Sequence, residues 1–449
     1  MRWDSAGKVR RRIAVPTLLD SAWFGHRSAE KSRRWRDGVE RAQRESKAAL
    51  LSFLRRTWWL ILLAGIGLAQ PVLAASPRLQ FADDVFPLAV WLQQPVHAQK
   101  YKNLGINLYV GLWKGPTAEQ LATLKQAGMP VICEQNELGL SDRNRNIIIG
   151  WLQQDEPDNA QPLVGKIGAA RLGWGSPVSP AEMQERYRAM RARDPSRPVL
   201  LGLGKGVAWD PWKGRGNRTG HPEDYPQYVK AGDILAFDIY PAAETDPALA
   251  GRLEVVAGGV KRLVSWAGPE RTVWNTIGTS KVKNPDAVVN PEHIRSQVWM
   301  SIINGARGII YFVHQFQPRF VEATWFESPE IAAAIGRINA EVQGLAKVIL
   351  SPASGDIASI VLRDENRKPV PSASISVTSR RQGCKLYVFA ASLSNKPLRA
   401  GINLRQAPGT LDVIGEDRRL PAKGNGFEDD FEPYAVHLYV SSAWNAVCE

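Results

Sequence analysis

The sequence predicts an α/β fold: a (β/α)8 TIM barrel followed by a small C-terminal antiparallel β-sandwich. Three observations predict it. Short apolar runs rich in β-branched residues recur eight times between residues 86 and 314, with helix-forming stretches among them. The stretch from 86 to 347 is close to the ~250 residues usual for such a barrel. From about Ser351 the helical periodicity stops, and strand-like runs separated by turn residues take over. An open doubly wound sheet is the competing arrangement. However, no strand is followed by a phosphate-binding glycine loop, and Gly202-Leu203-Gly204-Lys205-Gly206 lacks the spacing of one.

The predicted organisation is a basic tail over 1–56, a signal peptide or membrane anchor over 57–76, the barrel over 80–350 and the sandwich over 351–449. The formal charge of +13 sits mostly in the tail: residues 1–56 hold 15 Lys/Arg against 6 Asp/Glu, which leaves +4 for the rest. The body therefore makes no case for a nucleic-acid partner. Between Thr57 and Pro77 there is no charge. Trp58-Trp59-Leu60-Ile61-Leu62-Leu63 follows Arg55-Arg56, and Val72-Leu73-Ala74 offers small residues for cleavage before Ala75. This predicts export to the periplasm or beyond. An uncleaved inner-membrane anchor with a cytoplasmic basic tail is the alternative, and residues 57–76 are then the only membrane contact. Three cysteines make no disulfide framework. Cys133 reads as a buried thiol, while Cys384 and Cys448 are the two that an oxidising compartment allows to pair. No His/Cys spacing predicts a metal site, and no cofactor is expected.

In chain order, Phe86–Trp91 and Gly105–Trp113 are the first two strands. Thr117 with Gln120 marks a capped helix, carried by Leu121, Leu124 and Ala127 and stopped by Gly128 and Pro130. Pro130–Asn136 is strand three. Strand four is Ile147-Ile148-Ile149-Gly150-Trp151-Leu152, ending at Asp155-Glu156-Pro157, where proline cannot continue a ladder. Ser179-Pro180-Ala181-Glu182 opens a helix. Pro198–Leu203, Ile234–Pro241 and Arg271–Ile277 are strands five to seven. Asn290-Pro291 caps a further helix, Gly308–His314 is strand eight, and a last helix starts at Ser328. The sandwich shows as Ile357–Leu362, Lys385–Ala391 and Tyr434–Val440.

Barrel chemistry gathers at the carboxyl ends of the strands. There the sequence places Trp91, Trp113, Glu134, Asn136, Trp151, Asp155, Glu156, Asp238, Tyr240, Trp274, Asn275, His314 and Gln315. Four strands end at a tryptophan, and none ends in a cationic cluster. Indole faces with carboxylates and amides suit a neutral polyhydroxylated ligand, so a carbohydrate is the expected partner. Each residue also has a plainer role open to it. The tryptophans fill a barrel, Asp155 and Asp158 cap a helix, Asp238 makes an inward hydrogen bond, and His314 satisfies a core.

An eight-stranded barrel with an acid after strand four and a trailing β-sandwich resembles the clan A glycoside hydrolases, over roughly residues 86–445. That clan carries its acid/base Glu after strand four, commonly within Asn-Glu-Pro, and Asp155-Glu156-Pro157 is similar with Asp in place of Asn. The resemblance implies that Glu156 protonates the glycosidic oxygen. It also implies a nucleophilic Glu after strand seven, where this chain has Asn275-Thr276-Ile277-Gly278-Thr279, with Gly278 at that place. Asp238, Glu134 and, less favourably placed, Glu322 remain as the second carboxylate. An inverting enzyme, a retaining enzyme with a relocated nucleophile, and an inactive glycan-binding barrel all stay open. The sugar, its linkage and the oligomeric state are not legible.

Overall fold

The structure, a computed structural model, describes residues 77, 79, 81–141, 146–164 and 171–441. The predicted tail, the apolar segment 57–76 and Cys448 lie outside the described residues.

The eight predicted strands form one parallel barrel. They are Leu88–Trp91, Leu108–Val110, Val131–Glu134, Ile148–Leu152, Val199–Leu203, Ile234–Phe237, the pair Thr272–Val273 and Asn275–Gly278, and Ile309–Phe312. They are numbered one to eight in that order below. Strand one pairs with strand two (Ala89 opposite Leu108) and with strand eight (Leu88 opposite Ile309). Strand seven closes the ring in two halves. Val273 pairs with Leu235 on strand six, Asn275 pairs with Ile309 on strand eight, and Asp238 bridges to Thr276 above the break. The break falls at Trp274, whose ring fills the barrel interior against Gly308. A β-carbon on Gly308 would stand 2.5 Å from Trp274 Cε2, so the indole needs a glycine beside it.

Alternate residues of each strand face inward. Ala89, Leu108, Val110, Ile132, Leu152, Leu200, Ile234, Ala236, Trp274 and Ile310 fill the interior. Their neighbours, among them Leu88, Val90, Tyr109, Val131, Cys133, Trp151 and Ile309, pack against the helices outside. The helix Ala118–Ala127 carries the predicted capping box, with Thr117 Oγ1 accepting from Gln120 N and Gln120 Oε1 accepting from Thr117 N; Gly128 ends it at φ +60°. Ser179 caps Pro180–Arg193 and Asn290 caps Pro291–Ile303, each with proline in the first turn. Between strand four and its helix lies a hairpin, Pro162–Val164 with Arg171–Trp174, that the sequence did not announce.

The C-terminal sheets are antiparallel, one of four strands and one of five, with a common core that includes Leu362, Leu386, Val388, Ile402, Leu411 and Tyr439. The five-stranded sheet also presents Phe389, Ala391, Val436 and Leu438 to the barrel core, where Phe389 and Trp299 lie 5.2 Å apart. Cys384 is disulfide-bonded, and Cys133 is free and buried.

Candidate active site

The inward side chains above the barrel core open into a cavity of about 440 Å³ at the carboxyl ends of the strands. Trp91, Asp155, Glu156, Asp238 and Tyr240 line it, together with Asn159, Lys205, Trp212, Glu244, Thr276, Lys283, Phe312 and Phe316.

Glu156 reaches this place through an uncommon turn. Strand four ends at Leu152, and Glu156 itself has φ +41°, a conformation few non-glycine residues adopt. Its N–H donates to Gly202 O at 3.0 Å on strand five, and its carbonyl accepts from Asn159 N at 3.1 Å. Asp158 holds the turn from below. It is fully buried and accepts from Gly204 N and from the Tyr225 hydroxyl, both at 2.8 Å. The loops after strands four and five are thereby tied together. The expected helix cap at Asp158 is thus a clamp between loops instead, because the chain after Pro157 enters a hairpin and not a helix. The glycine-rich turn after strand five is the other half of that clamp.

Glu156 and Asp238 are within hydrogen-bonding contact of each other. Asp238 Oδ1 is buried and, among the described residues, receives no hydrogen bond from an amide, hydroxyl or ammonium. A proton shared with Glu156 and the Tyr240 hydroxyl are the donors to this carboxyl. Repulsion from Asp238, then burial, push the Glu156 carboxyl up to about 9. Burial raises Asp238 to about 6, while the hydrogen bonds from Glu156 and Tyr240 hold it down. The pair therefore keeps one proton between them through neutral pH. Burial, then repulsion from Glu156 and Asp158, raise the Asp155 carboxyl, and the hydrogen bond from the Glu156 N–H offsets part of the rise. Lys205 pairs with Glu244 and lies 4.2 Å over the Trp212 ring, and Trp212 Nε1 donates to Asn159 Oδ1 at 2.8 Å. Tyr240 stacks on Phe312 with centroids 5.1 Å apart.

The remaining predicted site residues lie elsewhere. Trp151 faces the outer helices and donates to Asp194 Oδ2 at 2.9 Å, and Trp274 is inside the barrel below the cavity. Asn275 also points outward, to Ser301 Oγ at 2.8 Å. Trp113 is exposed beside the second strand, and Glu134 is exposed outside the cavity. Asn136 caps the helix Glu137–Leu140 and donates to Pro116 O. His314 is buried against Gln93 and stacked near Phe316, and Gln315 pairs through its backbone with Val321. Glu322 binds the amide and side chain of Gln94. Sequence reasoning missed Thr276, Phe312 and Asn159 as lining residues. Counting by twos from an inward residue finds the first two: Trp274 leads to Thr276 and Gly278, and Ile310 leads to Phe312. Among the described residues no group of three His, Cys, Asp or Glu is placed to hold a metal ion.

Gly278 has the inward parity expected of a strand-seven acid. A β-carbon there would stand 2.7 Å from Tyr240 Cδ1 and 3.0 Å from its Cγ. The tyrosine ring occupies the space into which a strand-seven side chain would grow.

No protein-family model matches the chain, and no curated protein matches it. Among solved structures, it is similar to an Anoxybacillus α-amylase at 9% identity and TM-score 0.49, covering 81% of this chain and 99% of that one. An α-amylase from Geobacillus thermoleovorans complexed with acarbose follows at 11% identity and TM-score 0.46, over 80% of this chain and 98% of that one. A putative α-galactosidase/melibiase from Bacteroides fragilis follows at 10% identity and TM-score 0.47, over 81% of each. All these scores fall below 0.5.

Proposed function

We propose that the protein is a glycoside hydrolase acting on an oligo- or polysaccharide outside the cytoplasm, with Glu156 as its general acid/base. The observation that carries this reading is the one-proton pair of Glu156 and Asp238 in an aromatic-walled cavity at the barrel's catalytic end. A glycosidic oxygen is a poor leaving group until protonated, and a carboxyl that stays neutral near pH 7 is what such a step requires. Trp91, Trp212, Tyr240 and Phe312 offer the flat faces on which sugar C–H surfaces stack, and Asn159 and the carboxylates offer partners for hydroxyls. The extracytoplasmic part of the reading is supported by the uncharged segment before Ala75 and by the disulfide at Cys384. A mature N-terminus at Ala75, read by mass spectrometry, is the expected result.

The test is hydrolysis of a glycan panel by wild type and Glu156→Gln. Loss of the proton donor should lower kcat by about 10²- to 10⁴-fold while leaving saturable binding in place. Turnover unchanged in the glutamine variant would remove Glu156 from the chemistry. A second reading, a glycan-binding barrel that does not cleave, is favoured by the occupied place at Gly278. It predicts binding without sugar release, and any Glu156-dependent release excludes it.

A further inference from the structure

We infer that the site is built for 2-acetamido-2-deoxy-β-glycosides, whose own acetamido oxygen supplies the nucleophile that the barrel lacks. The inference deepens the hydrolase reading above and rests on it. Three observations converge.

First, the strand-seven position is closed to any side chain, because the Tyr240 ring stands 2.7 Å from where a β-carbon on Gly278 would begin. Second, Glu156 and Asp238 are not disposed as an opposed pair. Glu156 and Asp238 are in hydrogen-bond contact, well inside the ~5–5.5 Å of retaining pairs and the ~6.5–9.5 Å of inverting ones. Glu244 is held by Lys205 and by the N–H groups of Thr245 at 2.9 Å and Asp246 at 3.3 Å. Asp155 accepts the backbone N–H of Glu156.

Third, Asp238 Oδ1 is a buried acceptor with no conventional donor among the described residues. Once Glu156 turns its proton toward a glycosidic oxygen, Asp238 keeps the Tyr240 hydroxyl, but Oδ1 stays buried without a donor, which is costly. An amide N–H on the sugar's C2 supplies it. A 2-hydroxyl can also donate, but it brings no carbonyl oxygen to the anomeric carbon. The stacked rings of Tyr240 and Phe312, with Trp91, form an apolar wall for the acetamido methyl.

Glu156 gives its proton to the glycosidic oxygen as the C1–O bond breaks. The acetamido oxygen attacks C1 from the opposite face, forming a cyclic oxazolinium whose N–H is held by Asp238. Water then adds to C1 and loses its proton to the Glu156 carboxylate. The C1–O bond to the acetamido group breaks, and the product keeps the β configuration. Neighbouring attack needs the amide trans to the leaving group, which is why the β-anomer is specified.

The test uses the full chain and two matched probes, chitotetraose and cellotetraose, alike except at C2. A second set holds 4-nitrophenyl β-glycosides of gluco and galacto configuration, each with and without the 2-acetamido group. Acetamido substrates should be hydrolysed with kcat/KM at least about 100-fold above their 2-hydroxy counterparts, the scale of a well-placed internal nucleophile, and with retention. Asp238→Asn should lose most of that preference. Tight competitive inhibition by the methyl-thiazoline derived from N-acetylglucosamine is a further expected sign. Equal rates on the matched probes, abolished by Glu156→Gln, would overturn the inference and leave the hydrolase reading intact. Glu156-independent release would overturn both, and no release from any acetamido probe would overturn the inference.

Discussion

A non-glycine residue at φ +41° costs on the order of 1–3 kcal/mol, and Glu156 tolerates it because Gly202 and Asn159 grip its backbone on both sides. That grip sets its carboxyl against Asp238 and gives the pH dependence of the proposed reaction. Glu156 must hold its proton and Asp238 must be ionised, so activity rises as pH passes about 6 and falls as it passes about 9. A kcat/KM profile should be bell-shaped with those limbs, and Asp238→Asn should remove the acidic one. A profile flat from pH 5 to 10 would break the link between the pair and turnover. At Gly278, even alanine should destabilise the fold by about 1–3 kcal/mol in chemical denaturation, through overpacking against Tyr240. Gly278→Glu should create no new activity. Glu156, Asp238 and Tyr240 were legible because each stands at or just past a strand's end. Trp151, Trp274 and Asn275 stand equally close to an end and were misplaced. Nearness to an end does not decide direction, because strand alternation turns Trp151 and Asn275 outward.

At the scale of elements, the barrel strands were legible because they are buried on both faces and read as unbroken apolar runs. The sandwich was less so: only three of its nine strands were picked out. Ile375–Gln382 and Gly426–Phe431 are rich in polar residues, several of them buried, such as Ser376, Ser379, Arg380 and Asp429, and so read as turns. The hairpin after strand four was hidden for another reason, since its strands are only three and four residues long. The functional weight falls on the pairing of the strand-four and strand-five loops through Asp158. Its carboxylate is the shared acceptor for Gly204 and Tyr225, and Arg215 donates to its carbonyl at 3.3 Å. Asp158→Ala leaves two buried donors unsatisfied, each worth about 1–3 kcal/mol. The expected loss is about 3 kcal/mol by urea denaturation, together with a fall in kcat exceeding the change in KM, because Gly204 backs Asn159 and the Glu156 carboxyl. Wild-type stability in that variant would mean the two loops are positioned by other contacts.

Over the whole molecule, the boundary near Ser351 divides two architectures but not two cores. The helix Pro291–Ile303 is packed on both sides, with strand seven on one and the five-stranded sheet on the other. Arg295 pairs with Glu341 of the barrel and donates to Val436 O of the sandwich at 3.0 Å. Ser296 Oγ donates to Tyr434 O at 2.7 Å, and the Tyr434 hydroxyl donates to Glu254 at 3.0 Å. The change of periodicity that revealed the boundary says nothing of this joint. A helix buried all round reads in sequence only as an apolar helix, and its second partner lies about ninety residues downstream. Shared burial of Trp299 and Phe389 makes the two parts one folding unit, since neither face can be exposed without the loss of large aromatic contacts. Phe389→Ala should therefore cost about 3–5 kcal/mol and lower the unfolding midpoints of both parts together. Tryptophan fluorescence reports mainly on the barrel, and amide exchange over Lys385–Ser392 reports on the sandwich. The two should give coincident transitions in wild type and variant alike. Separate midpoints, with the barrel transition unmoved by the substitution, would show that the sandwich is an appended module and that the active-site barrel stands without it.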